Sequence, residues 1–238
     1  MKTFVHKANE RGHADHGWLD TSHSFSFATY FNPERVRFGL LRVLNEDIVK
    51  GGNGFGTHPH ENMEIISIPL KGELEHRDSM GSGGVIRKND IQIMSAGTGV
   101  HHSEYNKSED APVNFLQLWI FPKYKDIAPR YDQKRFDPKN RINRFQEIVS
   151  PLESSGEGVK INQDAYLHLA DMEKDTDLIY TIKKNGNGLY VFVLEGEVKV
   201  GDIILERRDA VGITAASAIE FKTNEKAELL LIEVPMNQ

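Results

Sequence analysis

Ten histidines are the unusual count in this sequence, and their spacing says what they are for. The sharpest pattern is Thr57-His58-Pro59-His60-Glu61-Asn62-Met63-Glu64. Side chains of an extended segment alternate faces, so His58 and His60 point the same way, roughly 7 Å apart along the strand. A second pair occurs in Gly97-Thr98-Gly99-Val100-His101-His102-Ser103-Glu104, where His102 and Glu104 again share a face. Together they offer three imidazoles and one carboxylate. That set suits a first-row divalent metal in an octahedral field, with two positions left for water, substrate or dioxygen. Three neutral imidazoles and one carboxylate around a dication leave a net charge of about +1, which favours an anionic oxygen ligand. A sulfur-free set disfavours copper(I) and suits iron(II), manganese, nickel, copper(II) or zinc. A lone histidine is usually an ordinary core or surface residue. Two i,i+2 pairs, each beside glycines, argue against coincidence.

Such residues need rigid elements to hold them. Short alternating or apolar runs recur at 38–44, 64–70, 84–94, 114–121, 189–194, 197–205 and 228–234, broken by Gly, Asn and Asp. These read as strands with tight turns, and many short strands without helices predict a sandwich or barrel. The best helical candidate is 144–153. If the strand after His60 stays regular, Asn62, Glu64, Ile66, Ile68 and Leu70 share its inward face, polar at one end and apolar deeper in. A faint repeat pairs Leu70-Lys71-Gly72-Glu73-Leu74 with Leu194-Glu195-Gly196-Glu197-Val198, which predicts two similar barrels. No His-x-His precedes Leu194. The repeat alignment sets Glu220 opposite His102 and Lys222 opposite Glu104, so the second barrel is expected to lack a metal. Residues 122–143 read as a long, locally basic, solvated connection.

Other side chains have blander readings. His101 should face away from His102. His76 reads as an ordinary hydrogen-bonded histidine with pocket lining as the alternative, and His168 as a polar-face residue. His6, His13 and His16 lie in a polar stretch. His23, Phe25 and Phe27 read as core packing, with a cover over the pocket as the sharper reading. Phe115, Trp119 and Phe121 share one face of a strand apolar on both sides, which reads as structure.

At 238 residues and 27.0 kDa the chain suits one large domain or two of roughly 110 residues. The net charge of -6 gives a field that does not attract nucleic acid or anionic membrane. The absence of cysteine excludes disulfide scaffolds, thiol nucleophiles, iron–sulfur clusters and Cys-type zinc sites. The N-terminus is polar and charged, unlike a signal peptide, and no apolar run approaches a membrane span. A cytoplasmic protein is expected.

The spacing of these residues resembles the cupin signatures. Gly52, His58, His60 and Glu64 match the first motif, with Gly72 one residue late; Gly97, His102 and Asn106 match the second, with Asn89 and Ser95 departing from it. The strings Phe55-Gly56-Thr57-His58-Pro59-His60, Ser95-Ala96-Gly97-Thr98-Gly99, His102-Ser103-Glu104, Leu41-Arg42-Val43-Leu44-Asn45-Glu46-Asp47, His23-Ser24-Phe25-Ser26-Phe27 and Pro129-Arg130-Tyr131 resemble the pirin family of bicupins, most closely its bacterial quercetinase branch. That resemblance implies an all-β fold of two face-to-face β-barrels of the double-stranded β-helix or jelly-roll type, with few short helices. It implies a metal-binding N-terminal barrel, 1–136 with the start of the linker, and a metal-free C-terminal barrel, 137–238. It implies one metal per chain, held by His58, His60, His102 and Glu104, with Glu64 behind the ligands rather than among them. Iron(II) is the first expectation; manganese, nickel, copper, cobalt and zinc stay open. The implied activity is cleavage of an enolic aromatic such as quercetin by dioxygen, with carbon monoxide released, in a monomer where Glu104 is the catalytic proton acceptor. A metal-carrying regulatory protein that binds a protein partner is the second reading. Another cupin activity on a different small molecule is the third, since fold does not decide among them.

Overall fold

The structure, a computed structural model, describes residues 1–237. Almost everything in it is strand, gathered into two seven-stranded and two four-stranded sheets. In the N-terminal barrel the seven-stranded sheet runs in the order Arg130–Arg135, Asp90–Ser95, Glu64–Lys71, Val113–Ile120, Leu41–Val49, Leu19–His23, Gly12–Asp15. The four-stranded sheet runs Gly54–His60, Val100–Asn106, Glu73–Asp78, Gly83–Arg87. The C-terminal barrel repeats this plan with a seven-stranded sheet centred on Asn187–Glu195 and Ala227–Pro235, and a four-stranded sheet beginning with Thr176–Thr181 and Ala218–Thr223. Its outermost strand is Lys2–His6, which pairs antiparallel with Ala210–Thr214. The chain therefore begins in the sheet of its second barrel.

The two seven-stranded sheets face each other, and register shows why. Leu44, Leu118, Ile66 and Ile93 lie opposite one another across four strands, so they share one face. They pack in a single buried cluster with Leu167, Tyr190, Leu230 and Ile232 of the other barrel. Each such fully buried side chain contributes about 1.5–3 kcal/mol relative to exposure. Ion pairs add register at the rim: Glu46 accepts from Arg208 of the second barrel at 2.9 Å and from Arg11 at 3.2 Å.

Period-two alternation sends the neighbouring residues inward. Asn45, Gln117, Ser67 and Gln92 stand opposite one another in the same four strands, so a polar row crosses the inner face. On the facing four-stranded sheet His58 pairs with His102 and His102 with Asp78. This polar band divides the interior of the first barrel into two small apolar clusters, one around Leu74 and Phe115 and one around Ile65 and Met94. The second barrel has one continuous apolar filling.

Three expectations change. The stretch 144–153 contains the strand Gln146–Pro151 and no helix, because Ile148 and Val149 are both buried in a sheet. Among the described residues the helical elements are the two 3-10 turns Ala8–Glu10 and Pro138–Arg141. The connection 122–143 supplies the edge strand Arg130–Arg135. The inward parity does not survive past His60: Asn62 takes a left-handed φ of 48°, and the new strand restarts at Glu64 with its even residues facing the other barrel. No helix of the described residues is long and apolar enough to cross a membrane.

Candidate metal centre

His58 and His60 project from Gly54–His60, and His102 from the neighbouring Val100–Asn106. A bulge follows the His58–His102 pair, where the register slips before Glu104 meets Phe55; such bulges re-aim side chains. The outcome is convergence: the ligand atoms of His58, His60 and His102 lie within 4.8 Å of one another. Ring centroids are 4.9 Å apart for His58–His60, 4.5 Å for His58–His102 and 4.9 Å for His60–His102.

The protonation pattern suits a cation. His58 Nδ1 is 2.7 Å from the carbonyl oxygen of Gly56. A carbonyl only accepts, so Nδ1 carries the proton and Nε2 keeps its lone pair. His102 is 2% exposed, and its Nε2 is buried with no protein partner, which costs about 1–3 kcal/mol unless something is bound. Burial pushes His102 down to about 2, with repulsion from His58 and His60 adding to it, and burial with repulsion from His58 pushes His60 down to about 4. Both are neutral donors at physiological pH. An imidazole with an orphaned, inward-facing nitrogen fits a divalent metal.

Glu104 lies beside this triad. Its ligand oxygen groups within 4.8 Å with His102 and His76, while Ser67 Oγ donates to Oε1 at 2.9 Å and Gln117 Nε2 to Oε2 at 2.5 Å. Burial pushes its carboxyl up to about 7 against those two bonds. Behind His102 stands His76, fully buried, its Nδ1 3.4 Å from His102 Nδ1 and its Nε2 3.3 Å from Asp78 Oδ2.

His58, His60 and Glu104 open into a cavity of about 330 Å³, whose other walls include Thr21, Phe27, Asp47, Phe55 and Trp119. Trp119 stands edge-on to His60 at 4.9 Å and to Phe27 at 5.3 Å. A larger space of about 660 Å³ lies in the cleft between the barrels. It holds none of the clustered histidines, and two of its cations, Arg141 and Arg208, are engaged by Asp171 and Glu46.

Several sequence expectations are revised here. Glu64 stands outside the histidine clusters and does not line the pocket: its Oε2 accepts from Ser95 Oγ at 2.8 Å and from the Asn162 backbone at 3.1 Å, tying the barrels together. Trp119 is a pocket wall, not simple core. His23 and Phe27 line the pocket while Phe25 turns into the inter-barrel core. His6 is buried, 3.0 Å from the Tyr190 hydroxyl. His101, as expected, is exposed and faces away from His102. Thr21, Asn45, Asp47 and Gln117 went unnoticed in the sequence. The available signal was a lone polar residue in a run otherwise apolar, as Gln117 is in Phe115–Ile120.

The second barrel differs by one residue from the repeat alignment. Thr223 bonds the closing turn there through Glu197 O and Glu225 O, as Asn106 bonds Val49 O and Ala111 O in the first barrel. Ile219 and Phe221 then occupy the places of His102 and Glu104, both buried in apolar filling. Glu220 and Lys222 point outward and pair with each other at 3.0 Å. His168 is buried against the Tyr180 hydroxyl at 3.3 Å, and Tyr180 donates to Glu233 at 2.9 Å. The second barrel carries no histidine cluster among its described residues.

Two jelly-roll barrels paired in one chain make a bicupin, and here the clustered histidines lie in the first of them. The family model described as Pirin matches residues 4–120, and that of the quercetinase C-terminal cupin domain matches 147–234. The chain belongs to the pirin family. It is 40% identical to the quercetin 2,3-dioxygenase of Escherichia coli strain K12 over 98% of both chains. It is 36% identical to a pirin-like protein of Caulobacter vibrioides over 93% of this chain and 95% of that one. The crystal structure of the Escherichia coli pirin YhhW in complex with nickel(II) matches with a TM-score of 0.92 at 38% identity, covering 98% of this chain and 99% of that one.

Proposed function

We propose that this chain is a metal-dependent dioxygenase of the quercetin 2,3-dioxygenase type, acting on a flavonol-like enolic aromatic. The observation that carries the reading is the convergence of His58, His60 and His102 beside buried Glu104, at the edge of an aromatic-walled cavity. In this reading those four residues hold one divalent metal, iron(II) first, with nickel(II) the ion in the related YhhW structure. When bound, the metal supplies a Lewis acid that acidifies the enol hydroxyl and brings it together with dioxygen.

The chain's own groups do the rest. Glu104, buried beside the three histidines, is the carboxylate placed to accept the enol proton. Ser67 and Gln117 hold that carboxylate in one orientation. Trp119, Phe27 and Phe55 present apolar walls to flat rings and exclude water from them. The volume of about 330 Å³ sits at the lower end of the range for small-molecule sites, so one compact aromatic fills it.

The test is direct. Protein reconstituted with iron(II), nickel(II), manganese(II), cobalt(II), copper(II) or zinc(II) is given quercetin in air, and the flavonol absorbance is followed with carbon monoxide release. Bleaching is expected with at least one metal and is lost in His58→Ala and His102→Ala. Stoichiometric metal binding without bleaching for every metal overturns the dioxygenase reading and favours a metal-carrying protein that acts through a partner.

A further inference from the structure

Asp78, His76 and His102 form a buried line that ends at the metal pocket. The side chains of Asp78 and His76 are both fully enclosed. Asp78 Oδ1 accepts from the backbone of Met80 at 2.9 Å and of Ser82 at 3.0 Å, so the turn it caps holds the carboxylate still. Its Oδ2 faces His76 Nε2 at 3.3 Å. A carboxylate is acceptor-only, so His76 Nε2 is the donor, and in a neutral ring Nδ1 is then an acceptor. The atom facing that acceptor is His102 Nδ1 at 3.4 Å. His102 must place its own proton there, which leaves the lone pair on Nε2, the buried nitrogen without a protein partner. Tyr131 lies over His76 with ring centroids 4.9 Å apart, and its hydroxyl is tied to Gln133 at 2.8 Å, which limits how far His76 can turn.

We propose that His76 is a positioning residue for the metal centre: backed by Asp78, it fixes His102 as the Nδ1–H tautomer and aims the Nε2 lone pair at the cation. The inference rests on the reading that His58, His60, His102 and Glu104 hold one metal. The opposite tautomer of His102 would present an N–H to the cation and remove a ligand. Metal-bound histidines commonly donate their second N–H to a carboxylate or carbonyl. Here an imidazole is interposed, and the carboxylate acts through it. His76, His102 and Glu104 also bring ligand atoms within 4.8 Å of one another, so a second ion held by His76 is the competing arrangement. It would require His102 to lose both ring protons.

Two measurements test this. In zinc-loaded wild-type protein carrying nitrogen-15 histidine, His102 is expected to show a protonated Nδ1 with scalar coupling to His76 Nδ1, and a metal-bound Nε2. A proton on His102 Nε2 overturns the proposal. Nickel(II) affinity is then measured by chelator competition. His76→Ala should lose about 10–100-fold, the usual effect of removing such a partner. His76→Asn, whose carbonyl can accept where Nδ1 did, should recover most of the loss. His76→Ala and His76→Asn both binding within about threefold of wild type, while His102→Ala loses more than about 100-fold, overturns the relay and leaves the metal site standing. Undiminished binding by His102→Ala instead overturns the site on which the relay rests. Two nickel ions per wild-type chain and one in His76→Ala would make His76 a ligand and overturn the proposal. Should His76→Ala fail to fold, the wild-type spectrum and His76→Asn decide alone.

Discussion

Asp47→Asn should make the metal-stripped protein more stable at pH 8 and less stable at pH 4. Asp47 lies on the inner face of the first barrel, where Thr21 Oγ1 donates to its Oδ1 at 2.5 Å. Burial pushes its carboxyl from 3.8 to about 7, opposed by the Thr21 bond and reinforced by the Glu104 charge. An acid whose folded value lies above its unfolded one holds more protons folded than unfolded between about pH 4 and 7. Stability therefore falls as pH rises through that window, and the loss is complete above about 7. The gap between 3.8 and about 7 corresponds to on the order of 4 kcal/mol. Asparagine cannot ionise and keeps an oxygen for Thr21, but its new amide donor faces the pocket. Leaving that donor unpaired costs about 1–3 kcal/mol at every pH. The difference is a variant about 1–3 kcal/mol more stable than wild type at pH 8, and less stable by a similar amount at pH 4. Urea unfolding in the presence of a chelator, repeated from pH 4 to 8, should show the gap moving by about 1.4 kcal/mol per pH unit before levelling near pH 7. A gap that stays flat across that range would refute the claim that Asp47 is ionised at a cost. A nearby divalent cation favours the ionised carboxylate, so saturating nickel(II) should shrink the variant's advantage at pH 8.

Three further outcomes follow from the same geometry. Glu64→Gln keeps an acceptor for Ser95 and the Asn162 backbone and should leave nickel affinity within about threefold of wild type, because this carboxylate faces the other barrel; a loss of the 10–100-fold seen for supporting residues would return Glu64 to the metal centre. Nickel(II) should quench tryptophan emission through Trp119, whose ring is 4.9 Å from His60, and Trp119→Phe should remove more than about half of that quenching, since Trp119 lies nearer the cation than Trp18; equal quenching in both proteins would contradict the pocket geometry. Gly97→Ala should cost more than about 2 kcal/mol, or about 4–8 °C in melting temperature, because φ there is +48° and an added Cβ would fall 2.0 Å from the Ile127 carbonyl oxygen; an unshifted melting curve would mean the loop is not held as described.

The parts of the site legible in sequence were those that local geometry dictates. His58 with His60 and His102 with Glu104 obey the strand period within one segment, so their shared direction needs no tertiary information. The period misleads once the segment ends. At Asn62 a left-handed residue resets the face, and Glu64, two residues on, crosses to the inter-barrel side. Asn45, Ser67, Gln92 and Gln117 are each a single polar residue in a separate strand. They form one row only after four strands have been paired in register, and nothing local encodes that pairing. His76 is similar, since its meaning comes from His102 standing across the ladder. Residues 144–153 looked helical because strands buried on both faces lose their alternation, and a short apolar pair such as Ile148-Val149 then fits either period. The two-barrel plan was visible because turn residues recur at matching places, although one residue of slippage near Thr223 set the wrong side chains opposite His102 and Glu104.

The placement of Lys2–His6 has a consequence for how the molecule is made. This strand is made before the whole first barrel, yet among the described residues its sheet partner is Ala210–Thr214 of the second. While the first barrel is being made, an unpaired edge with Phe4 and Val5 on it has nothing to join. Closure over such a separation is slow, and exposed strand edges are where nascent chains associate. The segment works as a late-fastening clasp: native assembly is sealed only when the second barrel arrives to receive it.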